Sequence, residues 1–139
     1  MWRCDRMNDA DRLRYLRIAL IVIGVLSVVG IYPLMRIWPS GFTWHTGPYS
    51  DYALMIVGVY ATLGVFLILA ARDPLASLSL IWFAVWSSVV HGCIMAAQAL
   101  AHTGNVGHLA GDVPLLFIVA AVLAILTPRG AKARVLRGG

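Results

Sequence analysis

The chain has 139 residues, 60% of them hydrophobic and 12% charged, with a formal net charge of +5. So much apolar surface does not fit inside a soluble globule of this size, in which about a quarter of the residues would be charged. Its Lys and Arg residues sit mostly at the chain ends and form no stripe on a folded face, which excludes a nucleic-acid surface and leaves a lipid bilayer as the solvent.

Residues 1–15 read as a basic tail, with Arg3, Arg6, Arg12 and Arg14, and Arg17 just beyond it. Met7 serves as well as Met1 for a first residue, and nothing below rests on the six residues before it. A first membrane helix is predicted at about 16–35. Its stretch from Ile18 to Met35 is uncharged and spans about 27 Å at helical rise, close to a hydrocarbon core. It is too long for the apolar region of a signal peptide and no small-x-small site follows it. Pro33 lies near its far end, where a kink or a stop is tolerable.

The segment from Arg36 to Asp51 contains Pro39, Gly41, Gly47 and Pro48 and is expected to be a loop. Trp38, Trp44 and Tyr49 there suit the headgroup region. A second helix is predicted at 52–71, preceded by Ser50 and Asp51 as N-cap candidates and ended by Arg72, Asp73 and Pro74. Gly58 and Gly64 in this helix, with Gly24 and Gly30 in the first, are predicted points of close helix approach.

A third helix is predicted at 75–101, and it is the most polar of the set, with Trp82, Trp86, Ser87, Ser88, His91, Cys93 and Gln98. The glycine-rich stretch from His102 to Asp112 is expected to be a loop. A fourth helix is predicted at about 110–128, with Pro114 suited to its first turn. Residues 129–139 form a second basic tail with Arg129, Lys132, Arg134 and Arg137.

These elements predict an all-α fold: a single transmembrane domain over residues 1–139, built as an antiparallel four-helix bundle. Four spans put both tails and the loop carrying Arg72 on one side. Arg36 is the lone basic residue of the other two loops, so the charge bias makes that side cytoplasmic, N-in and C-in. Cys4 falls in a tail and Cys93 inside a span, so a disulfide between them is not expected. Neither has a CxxC partner to support zinc or thiol redox chemistry.

On the third helix, Ser87, His91, Met95, Gln98 and His102 fall within an arc of about 80°. Lipid cannot satisfy imidazole or amide groups, so this face should turn into the bundle or a wet cavity. His91, with Ser87 and Gln98, is therefore the candidate ligand pocket. The plainer alternative is a neutral His91 bonded to a backbone carbonyl, Ser or Tyr of a neighbouring helix. His45, His102, His108 and Asp112 collect at the opposite side from the tails, and their chemistry suits zinc, copper or iron, although the spacing is loose. Only His91 lies deep in a span, so one chain cannot supply both ligands of a bis-histidine haem. No Ser-His-Asp arrangement is credible. Trp82, Phe83 and Trp86 fit an aromatic belt or packing better than the wall of a cofactor site.

Through WPSGFTWH, SDYALMIVGVYATLGVFLILAARDP, SLIWFAVWSSVVHG and GHLAGDVP, the chain resembles a family of small, uncharacterised bacterial four-helix membrane proteins. The resemblance runs from Ile31 to Pro128. It implies the architecture and a bacterial inner (cytoplasmic) membrane, but no activity, cofactor or functional residue. In layout alone the chain is also similar to the broad DoxX-like group, some members of which are linked to quinones or redox partners.

The reading these residues favour is a non-enzymatic binding or accessory subunit. It would hold a small apolar ligand, a quinone among the candidates, or a partner in an intramembrane pocket near His91. The partners to expect are the bilayer itself and a second copy or a larger membrane complex. The alternatives are a membrane redox or metal-dependent enzyme using the His and Asp residues away from the tails, and a small transporter or channel.

Overall fold

The computed structural model of the chain describes residues 8–44 and 51–128. Arg3, Cys4, Arg6, His45, Tyr49, Ser50 and the basic residues from Arg129 onward lie outside the described residues. The described residues form helices and turns, with no strand among them. In chain order these are α1 (Asp9–Val25), a π-helical turn (Leu26–Gly30), α2 (Ile31–Ile37), α3 (Pro39–Phe42), α4 (Asp51–Ala70), α5 (Leu78–Ala101), a 3-10 helix (Thr103–Leu109) and α6 (Asp112–Leu126). Four helical stretches are long and apolar enough to cross a membrane: Asp9–Ile37, Ala53–Ala70, Leu78–Ala101 and Gly104–Leu126. Large apolar side chains such as Val22, Val59, Phe66, Ile118 and Ile125 point outward. Helices greasy on their outer faces as well as their inner ones require lipid around them, and the chain is a multi-pass membrane protein.

The first helix already begins at Asp9, within the segment expected to be a tail. Asp9 and Asp11 in its first turn match the positive end of the helix dipole. The helix also continues past Pro33 to Ile37. In a regular α-helix Pro33 would press on the Val29 carbonyl and fail to donate to it. The widened turn Leu26–Gly30, which contains Val29, immediately precedes this stretch, and the Ser27 hydroxyl in it donates back to the Ile23 carbonyl at 2.8 Å. The two expected loops are likewise more ordered than their glycines and prolines indicate. The first holds the end of α2 and the short α3, and the second is largely the 3-10 helix.

Helices α5 and α6 pack closely, as do α1 and α4, and α1 also rests on α6, whereas α4 and α5 touch only lightly. The α1–α4 contact is set by two glycines. A Cβ on Gly24 would stand 2.7 Å from the Gly64 carbonyl oxygen, and one on Gly64 would stand 2.5 Å from that of Gly24. Backbone meets backbone there, as small residues permit in membranes. Gly58 faces open space and Gly30 meets only Leu26 of its own helix, so neither is a point of approach to another helix.

Leu16, Leu20, Leu67, Ile81, Val85 and Leu123 form the packed core. They come from the middle of α1, in the first half of the span Asp9–Ile37, and from the end of α4, the start of α5 and the end of α6, so the core occupies one half of the bundle. That half is closed by Arg12. Its Nε donates to the Leu126 carbonyl at 3.1 Å, and its Nη2 reaches the carbonyls of Ile125 and Thr127. These carbonyls end α6 without helical partners, and a cation satisfies both their lone pairs and the negative end of the dipole. The start of α1 and the end of α6 therefore lie at the same end, and the two helices run antiparallel.

Candidate functional site

The half of the bundle away from Arg12, the distal half, is hollow. A cavity of about 400 Å³ is lined by α2, α3 and the two residues after it, α4, α5 and the start of α6. That size falls within the usual range for small-molecule sites. Most of its wall is apolar, including Ile31, Met35, Ile56, Ile94, Met95 and Leu115. The polar contributions come from Thr43, Trp44, Tyr60, His91, Gln98 and Asp112. A second cavity of about 160 Å³ lies deeper and shares Ile31, Tyr60, Leu115 and Leu116 with the first. Ser27 of the π-helical turn and Ser88 of α5 line this inner space.

His91 is half-buried, and its Nδ1 lies 2.9 Å from the Tyr60 hydroxyl of α4. This contact bridges the helices that otherwise barely touch. The fully buried face of α5 is centred on Ile81, Ser88, Met95 and Ala99. His91 sits about 60° to one side of that face at 100° per residue, toward α4, and so opens into the cavity rather than into the core.

The cavity is roofed by a small polar cluster. Trp44 stacks on His108, with ring centroids 4.1 Å apart, and its indole N–H donates to Asp112 Oδ2 at 2.9 Å. His108 Nδ1 also lies 2.9 Å from that oxygen, and since an ionised carboxylate only accepts, Nδ1 carries the proton. His108 is 2% exposed. The 3-10 helix can sit this close to α3 because Gly107 and Gly111 lack side chains. A Cβ on either would run into the carbonyl oxygen of Ser40 or Gly41. The Thr43 hydroxyl ties the same corner to the Met35 carbonyl at 3.2 Å.

Of the three pocket candidates, the structure brings His91 and Gln98 to the cavity. Ser87 lines neither cavity; its hydroxyl donates to the Ala84 carbonyl of its own helix, and Ser88 faces inward instead. The metal candidates separate. His108 and Asp112 are in contact, His102 is exposed at the end of α5, and His45 lies outside the described residues. Among the described residues no group of three or more His, Cys, Asp or Glu side chains is placed to hold a metal ion. Phe83 and Trp86 are 62% and 63% exposed and line neither cavity, which fits a lipid-facing belt.

The Tyr60 contact is of the kind the plainer alternative for His91 named, a Tyr of a neighbouring helix, although the sequence did not single out Tyr60 itself. The sequence also gave no sign that the Trp44 indole has a side-chain acceptor in Asp112 Oδ2. No curated protein and no solved structure matches the chain. A family match does run over residues 10–136, taking in both cavities and the Trp44–His108–Asp112 roof, and on it the chain belongs to the family of unknown function DUF6632.

Proposed function

We propose that the protein is a non-enzymatic binding or accessory component of a bacterial inner membrane, holding a small apolar molecule in the cavity beside His91. The observation that carries this reading is the cavity itself: about 400 Å³, mostly apolar, with a few convergent polar groups at one end. The position of His91 supports it, because the imidazole lines the cavity even while one of its nitrogens is bonded to Tyr60.

In this reading both chain ends are cytoplasmic, because the basic residues concentrate at that end of the bundle. The cavity then opens toward the non-cytoplasmic leaflet. Reporters fused to either terminus should be active only in the cytoplasm.

The test of binding is to purify the full chain in mild detergent and weigh the intact complex. A bound apolar molecule should be present in the wild type and reduced in Ile56→Trp, whose larger side chain narrows the cavity. Wild-type protein that is empty, and takes up no apolar probe when titrated, would end the proposal.

A further inference from the structure

The bridge to Tyr60 uses one nitrogen of His91, Nδ1. The other, Nε2, lies at the end of the ring away from the α5 backbone and has no hydrogen-bond partner among the described residues. Among those residues Asp112 Oδ1 is the unpartnered polar atom that the fold seals off, so His91 Nε2 is open to what surrounds it. The ring lines the larger cavity, and Tyr60 and Ile31, which both cavities share, mark the inner end where it stands.

The bridge also decides what Nε2 offers. A phenol O–H is a stronger donor than an imidazole N–H, and a bare ring nitrogen is a stronger acceptor than a phenol oxygen. With the Tyr60 hydroxyl donating to Nδ1, the neutral ring carries its proton on Nε2. Other donors of this cavity stand elsewhere. Gln98 is seven residues further along α5, about 10.5 Å at helical rise. The Thr43 hydroxyl and the Trp44 N–H are directed at the Met35 carbonyl and at Asp112. The wall around His91, with Ile31, Ile56, Ile94 and Leu115, penalises a charged guest.

We infer that the ligand is an uncharged apolar molecule with a carbonyl oxygen, which accepts a hydrogen bond from His91 Nε2–H while its chain lies along Met35, Ile94 and Met95. Tyr60 is the positioning residue, because its hydroxyl holds the tautomer that donates. A hydroxyl head accepts as well, but its own proton goes unmatched there, since Nδ1 is taken and Asp112 Oδ1 is sealed. A carboxylate brings a charge into an apolar wall. This inference rests on the pocket proposed above and adds the chemistry of the head.

The test compares methyl nonyl ketone, undecane, undecanol and undecanoate. Each is equilibrated by dialysis against the full detergent-purified chain, with the same detergent in both compartments. The comparison protein is Tyr60→Phe/His91→Leu, which removes the imidazole and also the hydroxyl that would otherwise stand in for it. The gain in affinity from this variant to the wild type should be about fivefold larger for the ketone than for undecane, the factor that one net hydrogen bond between neutral groups supplies. Equal gains for ketone and alkane overturn the inference while leaving the pocket intact. A larger gain for undecanol or undecanoate than for the ketone also overturns it, in favour of a hydroxyl or an anionic head. If no probe binds, and wild type and Ile56→Trp are indistinguishable, the pocket reading itself falls.

A second pair of measurements needs only the wild type to fold. The carbonyl stretching band of the bound ketone should lie at lower frequency than in protein-free micelles. Nitrogen NMR of histidine-labelled protein should show His91 protonated on Nε2 and bare on Nδ1. An unshifted band, or a proton on Nδ1, counts against the assignment.

Discussion

Tyr60 of α4 and His91 of α5 meet at 2.9 Å across a seam where their helices otherwise hardly touch. The bridge fixes the imidazole at the cavity wall and ties together two spans that lack a packed interface. Removing either partner should loosen both. Tyr60→Phe and His91→Leu are expected to destabilise the detergent-solubilised protein by about 1 kcal/mol each, the usual scale for an interhelical hydrogen bond in a membrane. The double variant should cost less than the sum, which a double-mutant cycle of unfolding free energies measures. Additive losses would show that the two side chains are not coupled.

The Gly24–Gly64 contact makes a sharp comparison with Gly58. Gly64→Val drives a side chain into the Gly24 carbonyl and is expected to cost about 3 kcal/mol or to prevent folding. Gly58→Ala meets nothing within 4 Å and should be neutral or stabilising by about 0.5 kcal/mol through helix propensity. Thermal unfolding in one detergent, with both variants side by side, decides the matter.

Arg12 is the counterpart at the other end of the bundle. Arg12→Gln removes the cation from the α6 carbonyls and should lower stability by about 1–2 kcal/mol. Arg14→Gln, at an exposed position, should change nothing measurable. Equal melting temperatures for the two variants would remove Arg12 from its role as a clasp.

The roof of the cavity depends on close approach. Gly111→Ala pushes against the Gly41 carbonyl and should part α3 from the 3-10 helix, exposing Trp44 and lowering ligand occupancy. Gly104→Ala, on the same segment but with open space around it, should leave both unchanged. Tryptophan emission shifted to the red in the first variant alone is the expected signature.

The all-α membrane architecture was legible because long uncharged runs admit no other solvent. The interior was legible only in part. The helical period put His91 and Gln98 on one side of α5, and the structure places both at the cavity, but the same stripe carried Ser87 along. Ser87 shares their face but lies about 6 Å further along the helix from His91, toward the packed core, and its hydroxyl turns to its own backbone. Partnerships between segments far apart in the chain leave no periodic trace. Tyr60 with His91, Trp44 with Asp112, and Arg12 with the end of α6 emerge only once the helices are set side by side. Glycine and proline also misled the reading of both connecting segments. In the second of them Gly107 and Gly111 serve close contact with α3.

The widened turn Leu26–Gly30 holds one residue more than an α-helical turn. Deleting a single residue there would restore a uniform helix and leave Ile31 and Met35 on the face they now present, because the widened turn absorbs its extra residue. Leu16, Leu20 and Gly24 would keep their places in the core and against α4. The wall of the larger cavity would thus survive the loss, whereas the same deletion within the regular turns of α1, with the widened turn kept, would rotate Ile31 and Met35 by about 100° relative to Leu16 and Leu20.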